Sequence, residues 1–232
     1  MNLSYLQQGE GEDLVFLHGY LSSKESFLNQ IEYFSKQYRV TALDFPGMGG
    51  ANPLEEPWSV DDYADWTQEA LHELGVDHAR LLAHSFGGRV AVRLLSRGAL
   101  FQRAVLTGCA GIIPKRTLGY HLRVRAYRMV KKIAPRFAER KFGSSEYRTL
   151  SPVMRESYKK IVNEDLREDA KKIACPVLFL HGKEDRETPL SSIRVYLSCI
   201  QGAQLTVLDG CGHFAFLDNP LSFNLATEEF FK

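Results

Sequence analysis

Ser85 lies in the stretch LLAHSFGGRV, between an apolar run that predicts a strand and a segment that predicts a helix. Ala83 stands two positions before it, and Gly87 stands two positions after it. Small residues at these positions are typical of a strained strand-to-helix turn, because the neighbouring backbone comes close there. Such a turn exposes its central side chain. The hydroxyl of Ser85 is therefore a candidate nucleophile, although a simple turn with an incidental serine would have the same sequence.

A nucleophilic serine needs a base that takes its proton. In hydrolases built on a parallel sheet, the chain order is serine, acid and then histidine. This order leaves His121, His181 and His213 as candidate bases. We favour His213, because it follows the last predicted strand in a glycine-rich loop, LDGCGHFAFLDNP, that is free to orient its ring.

The base in turn needs an acid that orients it. Asp185 follows a predicted strand by a short turn in the stretch VLFLHGKEDRETP, and it is the preferred candidate. Glu184 is adjacent to it, and Asp209 lies nearer to His213 along the chain, so both acids remain alternatives.

Attack on a carbonyl also requires donors that stabilise the negative oxygen that forms. The backbone N–H of Phe86 is one candidate, because it begins the predicted helix and gains from the helix dipole. The second donor is expected in the loop FLHGYLSS, where the N–H of Tyr20 is preferred to that of Leu21. His18 is expected to orient this loop through hydrogen bonds rather than to transfer protons.

Strand-like and helical segments alternate along the chain. The predicted strands cover residues 14–17, 39–43, 80–83, 103–107, 177–180 and 205–208. The predicted helices cover residues 24–35, 60–74, 86–96, 190–199 and 220–231. This alternation predicts an α/β fold with a doubly wound, mainly parallel sheet.

The segment 111–169, called the cap here, lacks a convincing strand and has helical patterns broken by prolines. We predict that it is an α-helical insertion into a core formed by residues 1–110 and 170–232. The cap should help to choose the substrate, and three of its residues are candidates to line the pocket: Tyr120, Tyr127 and Met129.

Residues 115–141 of the cap contain ten lysines or arginines and a single acid, Glu139, in a chain whose net charge is +1. The favoured interpretation is a basic face that contacts water. A second interpretation is that Arg123 or Arg128 turns inward and meets an anionic group on the substrate. A third is contact with anionic lipid, which the ordinary overall composition does not favour.

The chain has 232 residues, of which 44% are hydrophobic and 25% are charged, as in an ordinary soluble globular protein. We therefore expect no nucleic-acid partner and no membrane contact. The first residues resemble no signal peptide, and the four cysteines have no metal-ligand spacing, so a reduced, cytoplasmic setting is expected. We expect no metal, and the sequence makes no prediction of the oligomeric state.

Five motifs together resemble those of α/β-hydrolase-fold serine hydrolases with a small helical cap. They are FLHGYLSS, DFPGMGGA, AHSFGG, GKEDRETP and GCGHF, and they extend over nearly the whole chain. Two features depart from the family pattern: Ala83 replaces the commoner glycine, and GMGGA lacks the serine or threonine that often ends that turn.

The resemblance implies hydrolysis of a small-molecule ester or related acyl compound through an acyl-enzyme, without a cofactor. Ser85 would attack the carbonyl, His213 would accept its proton, and Asp185 would hold the imidazole. An alternative within enzymes is a carbon–carbon bond hydrolase that acts on a diketone-type acid. An alternative from another class is a non-catalytic binding protein on the same scaffold.

Overall fold

The computed structural model describes residues 2–98, 100–113 and 150–232. Its strands form a single seven-stranded sheet in the order β1-β3-β2-β4-β5-β6-β7. The strands are β1 (Tyr5–Gln8), β2 (Glu12–Leu17), β3 (Tyr38–Leu43), β4 (Ala79–His84), β5 (Phe101–Thr107), β6 (Val177–Gly182) and β7 (Gln204–Leu208). Only β1 is antiparallel to its neighbour, and the five other strand pairs of the described sheet are parallel.

Eight α-helices occur in the described part of the chain. They are α1 (Leu28–Phe34), α2 (Val60–Glu73), α3 (Phe86–Arg97), α4 (Pro152–Val162), α5 (Arg167–Ala170), α6 (Leu190–Cys199), α7 (Ala215–Asp218) and α8 (Pro220–Phe231). The predicted helix at 24–35 is shorter as an α-helix, because its first turn is a 3-10 helix, Lys24–Phe27.

Alternate side chains of the strands pack against helices on opposite faces of the sheet. In β2, Leu14 and Phe16 lie in a core with α1, α7 and α8, whereas Val15 and Leu17 lie in a second core with α2, α3 and α6. All four side chains are fully buried. Central parallel strands that are buried on both faces read as continuous apolar runs. The predicted doubly wound, mainly parallel sheet is confirmed.

Helices α4 and α5 belong to the segment that the sequence predicts to be a cap. Ser151 caps α4 by accepting a hydrogen bond from the N–H of Met154, and a proline occupies the first turn, where its missing N–H costs nothing. The extent of the cap stays a prediction. Its remaining candidates, Tyr120, Tyr127 and Met129 together with the basic residues of 115–141, lie outside the described residues.

Backbone carbonyls of α4 and of the turn after it accept hydrogen bonds from core side chains. The hydroxyl of Tyr20 donates to Met154 O at 3.0 Å, and Nη1 of Arg89 donates to Ile161 O at 2.9 Å. The same nitrogen of Arg89 donates to Glu164 O at 2.9 Å. These contacts hold α4 against the carboxyl end of the sheet.

Within the described ranges, no helix is both long enough and apolar enough to cross a membrane.

Candidate active site

Ser85 occupies the sharp turn between β4 and α3. Its φ is 53° and its ψ is −108°, a conformation that residues other than glycine rarely adopt. A Cβ atom on Gly87 would lie 2.2 Å from Leu17 O, and one on Gly88 would lie 2.8 Å from Cys109 Sγ. Side chains at these two positions would therefore collide with the neighbouring strand ends. The turn leaves the hydroxyl of Ser85 at the carboxyl edge of the sheet.

The structure brings Ser85, Asp185 and His213 together, although 128 residues separate the serine from the histidine. His213 lies in the turn between β7 and α7, and Asp185 lies just after β6. Nε2 of His213 is 3.0 Å from Ser85 Oγ, and Nδ1 is 2.9 Å from Asp185 Oδ2. The three side chains form one continuous chain of hydrogen bonds.

The carboxylate of Asp185 is buried and surrounded by donors. Its Oδ1 accepts the backbone N–H groups of Glu187 at 2.9 Å and Thr188 at 3.0 Å, and its Oδ2 accepts the Thr188 hydroxyl at 2.7 Å. Burial alone would raise the pKa of Asp185, but the hydrogen bonds from His213 and Thr188 outweigh burial and hold this pKa well below its usual range. The ionised carboxylate favours a proton on Nδ1 of His213, which leaves Nε2 free to accept one.

The alternative acids and bases lie elsewhere. Asp209 is exposed and pairs with Lys183 at 2.6 Å, and Glu184 is also exposed. His181 is buried, and neither of its ring nitrogens has a hydrogen-bond partner among the described residues. His121 lies outside the described part of the chain.

The two expected oxyanion donors line one cavity with Ser85. Among the described residues, the backbone N–H groups of Tyr20 and Phe86 have no hydrogen-bond partner. His18 begins the loop after β2 that contains Tyr20, and its Nε2 accepts the N–H of Phe45 at 3.1 Å. Its Nδ1 must then carry the proton, which it donates to Gly19 O at 2.7 Å. His18 thus holds the loop in the way the sequence predicts.

The cavity has a volume of about 440 Å³, and Ser85 and His213 line it. Side chains from the loop after β2, from the first turn of α3 and from α4 provide much of its wall. The main ones are Tyr20, Phe86, Arg89, Tyr158, Ile161 and Val162. A mixed wall of this kind can hold a small apolar molecule and contact it at a few polar points.

A family model described as the Alpha/beta hydrolase family matches residues 14–224, which extend from β2 into α8. The chain belongs to the alpha/beta hydrolase family. The predicted membership in this family of enzymes is confirmed.

Several members of the alpha/beta hydrolase family are similar to this chain. The (E)-2-((N-methylformamido)methylene)succinate hydrolase of Acinetobacter baylyi is 41% identical over 106 residues, which are 45% of this chain and 40% of that protein. The pimeloyl-(acyl-carrier protein) methyl ester esterase of Nitrosomonas europaea is 24% identical, over 93% of this chain and 94% of that protein. A meta-cleavage product hydrolase of Pseudomonas fluorescens has a solved structure that matches with a TM-score of 0.76 at 26% identity, over 99% of this chain and 93% of that chain.

The sequence of this alpha/beta hydrolase did not lead us to predict two residues of the site, Thr188 and His84. Thr188 contacts Asp185 as described above, and the pattern D-x-x-T after a strand could have indicated this local turn. His84 contacts the histidine loop: its Nε2 is 3.1 Å from His213 O, and the two rings are 4.7 Å apart. Burial lowers the pKa of His84 to about 3, so the neutral ring donates its Nε2 proton to that carbonyl.

The neutral burial of His84 predicts a pH-dependent stability. An unfolded histidine binds a proton below a pH of about 6.5, whereas folded His84 does not until its pKa of about 3. The unfolded state therefore gains protons as the pH falls from 6.5 towards 3, and each such group lowers the free energy of unfolding by about 1.4 kcal/mol per pH unit. Burial also lowers the pKa values of His18 and His181. Urea unfolding at several pH values should show this slope.

The variant His84→Gln should reduce that slope by about one proton. Because the slope is independent of any constant loss of stability, it remains readable in a weaker fold. His72→Gln, which changes an exposed histidine, is the matched control. An unchanged slope in His84→Gln would contradict the neutral burial of His84.

Proposed function

We propose that the protein is a serine hydrolase that cleaves a carboxylic ester through an acyl-enzyme intermediate. The observation that carries the proposal is the hydrogen-bonded chain from Ser85 through His213 to Asp185, located at a cavity of the size of a small substrate. Family membership alone leaves the reaction open, because one fold hosts many chemistries.

Acylation begins with a proton transfer. Nε2 of His213 takes the proton of Ser85 Oγ as this oxygen forms a bond to the ester carbonyl carbon. Asp185 stabilises the imidazolium that results, because its ionised carboxylate already accepts the proton on Nδ1. The tetrahedral intermediate then collapses, the bond to the alkoxy oxygen breaks, and His213 gives its proton to the departing alcohol.

Deacylation repeats these steps with water. His213 Nε2 takes a proton from water, the hydroxide oxygen bonds to the acyl carbon, and the ester bond to Ser85 Oγ breaks. The proton returns to Ser85, and the carboxylic acid leaves. In both halves the N–H groups of Tyr20 and Phe86 would stabilise the oxyanion, and the loss of one such donor typically costs about 3 kcal/mol of transition-state stabilisation.

A second candidate is the hydrolysis of a carbon–carbon bond in a diketone-type acid. Its support is the likeness to the meta-cleavage product hydrolase, together with a serine, histidine and aspartate arrangement that both reactions can use. The third candidate is a binding protein on a hydrolase scaffold, which would not need a serine hydroxyl in contact with a histidine.

One experiment separates the three candidates. The purified protein is treated with a fluorophosphonate probe, and it is assayed on p-nitrophenyl esters of increasing acyl length and on a diketone acid. We expect Ser85 to be labelled and the esters to be cleaved, with slower turnover of the diketone acid. Preferred turnover of the diketone acid would favour the second candidate, and absence of both labelling and turnover would favour the third.

A further inference from the structure

Arg89 is a buried cation in the wall of the candidate active site. It lies on α3, one helical turn after Ser85, and its side chain lines the same cavity. Only 8% of the residue is exposed. Since helical side chains lean towards the helix N-terminus, the side chain of Arg89 leans back towards the end of the helix that begins next to Ser85.

The guanidinium of Arg89 has no carboxylate partner among the described residues. Nη1 donates to the backbone oxygens of Ile161 and Glu164. The next two arginines along α3, Arg93 and Arg97, are both paired with acids. Their carboxylate partners are Asp61, Asp65, Glu164 and Asp169. Of these three arginines, Arg89 beside the cavity is the one that has no carboxylate partner within the described ranges.

One edge of the Arg89 guanidinium has no partner among the residues that the structure describes. In the described part of the chain, Nε and Nη2 have no hydrogen-bond partner. The N–H groups of Nε and Nη2 point in parallel and fit the two oxygens of a carboxylate. Arg39 uses this edge for Asp13, with distances of 2.6 Å from Nε to Oδ1 and 2.8 Å from Nη2 to Oδ2.

An uncompensated buried charge is costly. Burial lowers the pKa of Arg89, but a guanidinium stays protonated at neutral pH. Two carbonyl dipoles compensate part of this charge, and an anion that enters the cavity would compensate the rest.

We propose that Arg89 binds a free carboxylate of the substrate, so that the enzyme acts on an ester of a dicarboxylic acid. This inference rests on the proposed ester hydrolysis and adds its substrate class. Phe86, Ile161 and Val162 would contact the carbon chain between the two ends of the substrate. Glu187 also lines the cavity, and its carboxylate lies 3.5 Å from His213 Nε2, so it repels an anion placed at that end. The two charges orient the substrate carboxylate towards Arg89.

The test compares pairs of isosteric esters. Monomethyl succinate, glutarate and adipate each carry a carboxylate, and the corresponding terminal amides carry none. We expect the wild type to have at least a tenfold higher kcat/KM for one acid than for its amide. Arg89→Gln should lower kcat/KM for that acid at least tenfold, mainly through KM, and should change the amide less than threefold. Arg89→Lys keeps the positive charge but lacks the two parallel N–H groups, and it should restore part of the preference for the acid over the amide.

Arg93→Gln is the matched control, because it removes a guanidinium one turn further along α3 that is already paired. It should leave the ratio of acid to amide unchanged. An equal kcat/KM for acid and amide at every chain length in the wild type would overturn the inference. If the ester bond of the amide-bearing esters is still cleaved and Ser85 is still labelled, the proposed hydrolase function remains intact.

A binding measurement tests the inference without catalysis. Calorimetry should detect glutarate binding to the wild type, no binding of 1,5-pentanediol, and at least fivefold weaker glutarate binding to Arg89→Gln. If neither glutarate nor the half esters bind to the wild type, the role of Arg89 is excluded, whatever reaction the enzyme catalyses.

Discussion

Ser85→Ala should abolish ester hydrolysis while the protein stays folded. The substitution removes one oxygen from a half-buried side chain that faces the cavity, so packing is largely preserved. We expect kcat to fall by about 10⁴-fold or more, with a residual rate from the oxyanion donors and substrate binding alone. Steady-state kinetics on the best p-nitrophenyl ester, together with a thermal melt, measure both effects.

Ser96→Ala provides the comparison, because Ser96 lies on the same helix and its hydroxyl donates to the backbone oxygen of Arg93. It should change kcat less than threefold. Wild-type esterase activity in Ser85→Ala would exclude the covalent mechanism entirely.

Asp185→Asn should produce the second large loss. A neutral amide no longer favours the proton on Nδ1 of His213, and its own N–H can donate to Nδ1 and stabilise the wrong tautomer. Loss of the carboxylate in such a triad lowers kcat by about 10⁴-fold. The comparison with Glu184→Gln and Asp209→Asn is decisive, because both of these acids are exposed and should change kcat less than threefold.

The same kinetic assay measures the three variants. A loss of kcat confined to Asp209→Asn would identify Asp209, at the end of β7, as the acid that orients His213. Equal small effects in all three variants would mean that none of these three carboxylates orients His213.

The sequence predicts the central sheet well because its parallel strands are buried on both faces and read as apolar runs. Strand β1 was not predicted, since YLQQ is short, largely exposed and paired with β3 alone. Polar, edge-lying segments carry little periodicity, and their pairing depends on the neighbouring strand. The missed edge strand therefore reflects a missing local signal.

Short motifs predict a site residue when the residues that determine its conformation lie within a few positions of it along the chain. The small residues around Ser85 and the turn at Asp185 are of this kind. The position of Arg89 is different, because its environment depends on α4, more than 60 residues away along the chain. Its burial and its hydrogen bonds to the carbonyls of Ile161 and Glu164 follow from tertiary packing, which no short pattern encodes.

The way in which α4 is attached has a consequence for the evolution of substrate range. Core donors reach it through main-chain oxygens at Met154 and Ile161, and every amino acid supplies such an oxygen. The side chain of Val162, which lines the cavity and is only partly buried, can therefore diversify while these two anchoring hydrogen bonds persist. A library at Val162 would search for new substrates at low risk to the anchorage of the helix.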